Sequence, residues 1–292
     1  IVPHLDRENQ PIRDFYLGAP DGALDVYVIV GPDIAALTSK LQRLVGVTPR
    51  PPLWALGHHQ CRWGYRNRAD LQRLDRAFTR RGIPTDALWL DIDYMRGYRV
   101  FTIDAEHFPR PRTDIAAIRR RVIPILDPGV KVDPAFPIYR DGLKHDVFCR
   151  NPARTPFVGF VWPGATVFPD FSTQRGRAWW TRQVRAFVKN GFAGAWIDMN
   201  DPSTGPSESS EMLFDGGRLR HADFHNLYAN GMAKATRDGL LAARPGQRPF
   251  QLTRSGSIGI AKFSAVWTGD NFSNENHLRR SIPTSLNLAL SG

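Results

Sequence analysis

From Pro51 onward the chain repeats one rhythm: a short apolar run, a polar loop carrying Asp, His or Trp, then an amphipathic stretch. A parallel strand can be followed by another parallel strand only after a crossover, and a helix is the usual filler, so this rhythm is the grammar of parallel β/α units. The apolar runs predict strands at 54–58, 87–90, 122–126, 194–197, 250–252 and 264–266, and the amphipathic stretches predict helices at 69–80, 113–120, 175–189, 221–241 and 274–290. The last of these helices must accommodate Pro283, which removes a backbone donor. Gly82, Gly191 and Gly246 sit just past three of the helices, where a left-handed terminator belongs.

The predicted fold class is α/β, a (β/α)8 TIM-barrel type that is incomplete, with about six of eight β/α units in residues 51–292. Upstream, the alternating β-rich segment 24–30 ends at Gly31-Pro32, and Asp33 is placed to cap a helix over 34–45. Residues 1–50 therefore read as the tail of an N-terminal β-sandwich domain and a linker helix. With no Met at the start and an apolar segment running into Gly292, the sequence reads as a piece of something longer. An unclosed sheet leaves strand edges and barrel interior uncovered, so residues 1–292 alone are expected to be poorly stable or inactive.

Composition narrows the function classes. Of 292 residues, 42% are hydrophobic and 23% charged, which excludes a disordered chain and allows a large core. The formal net charge of +11 invites a polyanion, yet the basic residues are scattered and no run exceeds Arg119-Arg120-Arg121, so a solvated basic surface is favoured over nucleic-acid binding. Cys61 and Cys149 make no disulfide framework and read as small buried hydrophobes. No apolar stretch reaches the ~18 residues of a membrane span. Localisation is left open, the two cysteines leaning towards a cytoplasmic setting.

Each predicted strand is followed at once by reactive side chains: His58-His59, Asp91-Ile92-Asp93, Asp127, Asp198, Arg254 and Asp270. In a parallel barrel all strand C-termini open on one face, so residues distant in sequence converge there. Asp198 and Asp270 each end a Trp-containing run, and two carboxylates across one pocket are the minimum equipment for breaking a glycosidic bond. Embedded between Trp196-Ile197 and Met199-Asn200, Asp198 suits a nucleophile. Asp270, beyond Trp267 in a Gly-containing turn, suits an acid whose pKa is lifted by an apolar wall, with Trp267 as that wall.

Asp91 and Asp127 are placed to accept charge-assisted hydrogen bonds from sugar hydroxyls, and Arg254 to orient the nucleophile or bind a hydroxyl. Structural ion pairs are the competing reading for all three. Trp63, Trp89, Trp162, Trp196 and Trp267 offer faces for stacking on sugars, with core packing as the alternative. His58-His59 with Cys61 lacks a second ligand pair, so a structural role is preferred to a metal site. No phosphate-binding glycine loop is present, and Arg254-Ser255-Gly256-Ser257-Ile258-Gly259 is only a weak mimic of a nucleophile elbow.

Taken in order, seven segments carry a family resemblance: Trp54-Ala55-Leu56-Gly57-His58-His59-Gln60-Cys61-Arg62-Trp63-Gly64-Tyr65, Trp89-Leu90-Asp91-Ile92-Asp93-Tyr94-Met95, Pro124-Ile125-Leu126-Asp127-Pro128, Val161-Trp162-Pro163-Gly164, Phe168-Pro169-Asp170-Phe171, Trp196-Ile197-Asp198-Met199-Asn200, and Arg254-Ser255 with Trp267-Thr268-Gly269-Asp270. The chain resembles glycoside hydrolase family 31, the α-glucosidases and their relatives, from about Leu24 to Gly292. The resemblance implies a retaining exo-acting α-glucosidase with Asp198 as nucleophile and Asp270 as acid/base. It further implies Asp91, Asp127 and Arg254 as ligands of the sugar, and Trp63, Trp89, Ile125, Trp162, Trp196, Met199 and Trp267 as pocket lining. It implies no cofactor and no metal; the expected partner is an α-glucoside or oligosaccharide, with no nucleic acid or membrane.

Three departures are visible. Asp201 stands where the family commonly has Glu, and the stretch 108–127 is about one helical turn short. The family's seventh and eighth strands lie past Gly292. Another α-glycosidase (an α-xylosidase), an α-transglycosylase, and a catalytically silent carbohydrate-binding relative remain as alternative functions, the intact Asp198 and Asp270 weighing against the last.

Overall fold

A computed structural model describes Gly18 and residues 25–291. In chain order the strands are β1 (His59–Gln60), β2 (Ala87–Leu90), β3 (Arg121–Leu126), β4 (Val130–Lys131), β5 (Val158–Val161), β6 (Gly164–Val167), β7 (Ala195–Ile197), β8 (Gln251–Thr253) and β9 (Ala265–Val266). The helices are α1 (Ile34–Val45), α2 (Arg68–Arg80), α3 (Pro111–Ala116), α4 (Pro137–Lys144), α5 (Gln174–Phe187), α6 (His221–Ala243) and α7 (Glu275–Leu290). Six strands pair side by side in the order β1-β2-β3-β7-β8-β9, every pair parallel, giving the incomplete barrel that the β/α rhythm predicts. Between β3 and β7 the chain makes an excursion, the antiparallel sheet β4-β6-β5.

Register sorts the side chains into two faces. Trp89 pairs with Ile123, Ile125 with Trp196, Trp196 with Leu252, and Leu252 with Ala265, so these residues share one face of the sheet. On that side Ala87, Trp89 and Ile123 form a small buried cluster with Trp54, Trp196, Phe250 and Leu252 against them. The alternate residues Leu88, Leu90, Val122, Leu126, Ala195 and Ile197 join the main core under the helices. This two-sided burial is why the strands are apolar throughout rather than alternating.

The helices are fixed by specific contacts. Asp33, Asn67, Thr173 and Asn274 each cap a helix by accepting a backbone N–H two or three residues into it. Trp180 Nε1 donates to Thr236 Oγ1 at 2.8 Å across the α5–α6 contact. A Cβ at Gly239 would stand 2.7 Å from the Val184 Cβ, so glycine is what lets these two helices approach. Arg120 and Asp75, 10% and 7% exposed, form a 2.8 Å ion pair that ties α2 to the entry of β3.

Four expectations shift. The first strand is not 54–58: Pro51-Pro52 feed a 3-10 turn at Leu53–Leu56, and pairing begins where the Asp86 N–H reaches the His58 carbonyl at 2.8 Å, so β1 is His59–Gln60. Helix α3 starts at Pro111 and ends after six residues, shorter than 113–120 implied. The excursion and α4 were not foreseen, because strands of two to four residues broken by Pro163-Gly164 carry too little period to register. Leu24 lies outside the described residues, as do 1–17, 19–23 and Gly292. Residues 25–31 form no strand, with Val26, Tyr27, Val28 and Val30 exposed, since an alternating segment becomes a strand only beside a partner. Pro283 is accommodated within α7, whose side chains are not buried.

Candidate active site

The period of two carries on past the strand ends. Asp91 follows Trp89 by two residues, Asp127 follows Ile125, Asp198 follows Trp196, Arg254 follows Leu252 and Trp267 follows Ala265. The face that packs Trp89 and Trp196 inside the sheet therefore delivers, at its C-terminal end, three carboxylates and a guanidinium. They lie close enough to feel one another. Burial, then the Asp198 and Asp91 charges, push the Asp127 carboxyl well above the usual range, with Arg254 opposing. Burial also raises Asp91, with Asp198 and Asp270 adding to it, and raises Asp198, where Arg254 opposes and Asp270 and Asp201 add. Asp270, though carried on the far loop after β9, thus belongs to the same electrostatic neighbourhood.

Arg254 is the hub. Its Nη1 lies 3.2 Å from Asp198 Oδ1, and its Nη2 donates to Ser203 Oγ at 2.6 Å and to Asp201 Oδ2. Asp201 also accepts from Ser203 Oγ at 2.6 Å and from the Ser255 hydroxyl. Burial alone would raise Asp201, but these hydrogen bonds from Arg254, Ser203 and Ser255 hold it below the usual carboxylate range. Asn200, fully buried, braces the next turn: its Nδ2 donates to Thr253 Oγ1 at 2.9 Å and its Oδ1 accepts from Ser255 N at 3.2 Å. Between the two carboxylates, Met199 holds a φ of 53°, in the left-handed region that costs a non-glycine residue energy. The Met199 sulfur is 3.2 Å from Arg254 Nη1.

Two buried polar atoms in this cluster, Asp127 Oδ1 and Trp196 Nε1, have no partner among the described residues, and Asp198 Oδ1, though not hydrogen-bonded, has the ion pair with Arg254. Native interiors pair nearly all such atoms, so their grouping at one strand end sets this part of the sheet apart.

The aromatic residues divide into three groups. Trp89 is 5% exposed and donates from Nε1 to His59 Nδ1 at 3.2 Å, while Ile125 is 1% exposed; both are floor rather than stacking surface. Half-buried Trp196 meets Trp89 and Trp267 edge-on, with ring centroids 5.9 and 5.7 Å apart. Trp63 and Trp162 are exposed and lie 6.0 Å apart, Tyr98 edge-on to Trp162. A cleft of about 540 Å³ takes in Asp201, Arg254, Ser255, Trp267 and Thr268, but none of Asp91, Asp127 and Asp198.

Two expectations are corrected. Trp267 is turned to Trp196 and Asp270 is exposed, so no apolar wall encloses that carboxyl. Of the two cysteines, both free, Cys149 is buried but Cys61 is exposed. The Asp201–Ser203–Ser255 set around Arg254 escaped sequence reasoning; the available signal was the spacing, with Asp201 and Ser203 just past Asp198 and Ser255 beside Arg254.

A parallel β/α half-barrel with acidic groups and tryptophans at its C-terminal mouth defines a barrel of the TIM class. The chain belongs to glycosyl hydrolase family 31: residues 48–292 match the family's TIM-barrel domain. It is 40% identical over 287 residues to Alpha-glucosidase 2 of Bacillus thermoamyloliquefaciens, covering 96% of this chain and 36% of that one. It is 37% identical over 292 residues to Neutral alpha-glucosidase AB of Mus musculus, covering 97% and 31%. The catalytic subunit in a crystal structure of the ER glucosidase II heterodimer superposes with a TM-score of 0.85 at 32% identity, over 90% of this chain and 30% of that one. A family 31 alpha-glucosidase from Bacteroides thetaiotaomicron gives 0.78 at 38% identity, over 89% and 44%. The chain thus spans about a third of the length of the curated relatives it matches.

Proposed function

We propose that the chain is the catalytic part of a retaining, exo-acting α-glucosidase that releases terminal α-linked glucose. The observation that carries this reading is the two unpartnered buried atoms, Asp127 Oδ1 and Trp196 Nε1, beside the Arg254-paired carboxylate of Asp198 in a family 31 barrel. Relatives named alpha-glucosidases support the substrate class.

The reaction runs in two displacements. In the first, an Asp198 oxygen attacks the anomeric carbon, the glycosidic C–O bond breaks, and Asp270 gives its proton to the departing oxygen. In the second, Asp270 takes a proton from water, the water oxygen attacks the anomeric carbon, and the ester bond to Asp198 breaks to free glucose. Net retention of configuration follows. The role requires the two carboxyls about 5–5.5 Å apart across the sugar.

Burial raises the Asp198 pKa and so works against the ionised nucleophile; Arg254 and the Met199 N–H supply the opposing stabilisation. Asp91 and Asp127 bind the sugar hydroxyls, better than neutral acceptors would. Trp196, Met199 and Trp267 line the pocket above a floor of Trp89 and Ile125, and Trp63 and Trp162 flank its mouth. Residues 51–292 are the barrel portion.

A panel of nitrophenyl α-glycosides tests this reading: turnover on the α-glucoside that disappears in Asp198→Asn is expected. Sugar binding without turnover in the wild type would instead mark a silent relative.

A further inference from the structure

At the opposite, N-terminal end of the sheet a second cavity of about 460 Å³ opens between α3, the C-terminus of α6 and the starts of β3 and β7. Its existence traces to the length of α3. A helix of six residues, against 13 to 23 for α2, α5 and α6, stops before it can cover the space beside Gly191 and Ala193.

The lining is unusual in charge. Arg119, Arg120, Arg121, Arg244 and Arg248 contribute to it, and no acidic side chain does among the described residues. Arg120 is committed to Asp75. Among the described residues the other four enter no ion pair; Arg244 reaches the carbonyls of Val188 and Phe192, and Arg248 the carbonyl of Pro51 at 3.5 Å. Burial and the neighbouring Arg121 charge both depress the Arg244 guanidinium below its ordinary value, the expected result of holding cations together without a counter-charge. The C-terminal ends of α3 and α6 also border the cavity, and their dipoles offset only about half a charge each.

We propose that this cavity is a binding site for a phosphate group, with Arg121 and Arg244 as its central ligands and Arg119 and Arg248 at the rim. Guanidinium forks match the tetrahedral oxygens in geometry as well as charge, and the volume exceeds one phosphate, leaving room for a small organic group attached to it. The site is distinct from the sugar pocket: Arg121 opens the strand that Asp127 follows, six residues away along β3.

The test is calorimetric titration of the purified protein with inorganic phosphate and, separately, with a hexose monophosphate, at ionic strength held constant with chloride. Saturable binding is expected, weakened roughly tenfold or more in Arg121→Gln with turnover of an α-glucoside unchanged. Arg248→Gln, an exposed substitution that leaves the Arg244 carbonyl contacts intact, is expected to weaken it less, which keeps the test sound if Arg121→Gln folds poorly. Tighter binding of the hexose monophosphate than of phosphate would show that the attached group is recognised too; equal affinity would restrict the site to the phosphate. Absence of saturable binding, or binding indifferent to both substitutions, overturns the proposal.

Discussion

Arg254 faces Asp198 with one nitrogen, 3.2 Å away, while its other terminal nitrogen is held by Asp201 and Ser203. The guanidinium is thus anchored on one side and leaves its charge free to act on the other. Arg254 is the foremost influence holding down the Asp198 pKa against burial. In Arg254→Gln the lowering influence is gone and the Asp198 pKa rises. The acid limb of the kcat/KM–pH profile is therefore expected to move to higher pH, with kcat reduced roughly a hundredfold or more. A profile that keeps its acid limb in place would separate Arg254 from Asp198.

Asp201 holds Arg254 in place, and on the proposed mechanism it bears on the reaction only through that contact. Asp201→Ala is expected to lower kcat roughly tenfold to a hundredfold with little change in KM, while Asp201→Glu, which keeps the carboxylate, retains most of the activity. Steady-state kinetics of the three proteins checks this. Equal losses in the alanine and glutamate variants would place the role of Asp201 in loop packing instead.

Asp127 is 6% exposed, and burial together with Asp198 and Asp91 raises its pKa in the folded state. For a carboxyl so raised, the stabilising protonated form is fully present below the unfolded pKa, and its contribution is lost as pH rises through the folded value. At pH 7 wild-type Asp127 therefore costs stability. Asp127→Asn is expected to raise Tm by about 2–4 °C at pH 7, the gain shrinking as pH falls towards 4, while kcat/KM drops at least tenfold from the weakened sugar contact. Thermal unfolding at several pH values with parallel assays decides it; a lower Tm at pH 7 would contradict the assigned burial cost.

How much of this was legible in the chain depends on signal length. Strands such as Ala87–Leu90 and Arg121–Leu126 are continuous apolar runs bounded by loops, and they fall within a residue of expectation. His59–Gln60 was misplaced because an apolar run after two prolines coils into a 3-10 turn, a backbone effect that hydrophobicity does not report. The acidic residues at strand ends were readable because period two continues into the loops. The clamp on Arg254 was not, since Arg254 and Ser255 meet Asp201 only after the β7 and β8 loops fold together. Likewise, nothing local in Thr268-Gly269-Asp270 says that the carboxyl ends exposed.

The open edges of the sheet, β1 and β9, and the exposed row Leu278, Ile282 and Leu286 on α7 leave apolar and hydrogen-bonding surface uncovered. Residues 1–292 expressed alone are expected to self-associate, seen as a light-scattering mass well above 32.9 kDa. A stable monomer with full α-glucosidase activity would refute that expectation.

Attack on the sugar by Asp198, with Asp270 serving the leaving group across the same pocket, is the step on which the proposed function depends. Its most direct measurement is mass spectrometry of peptides from enzyme quenched after mixing with a slow-turnover fluorinated α-glucoside. A glycosyl ester is expected on the peptide bearing Asp198, accumulating further in Asp270→Ala. An ester on any other carboxylate, or inverted product with no ester at all, would contradict it.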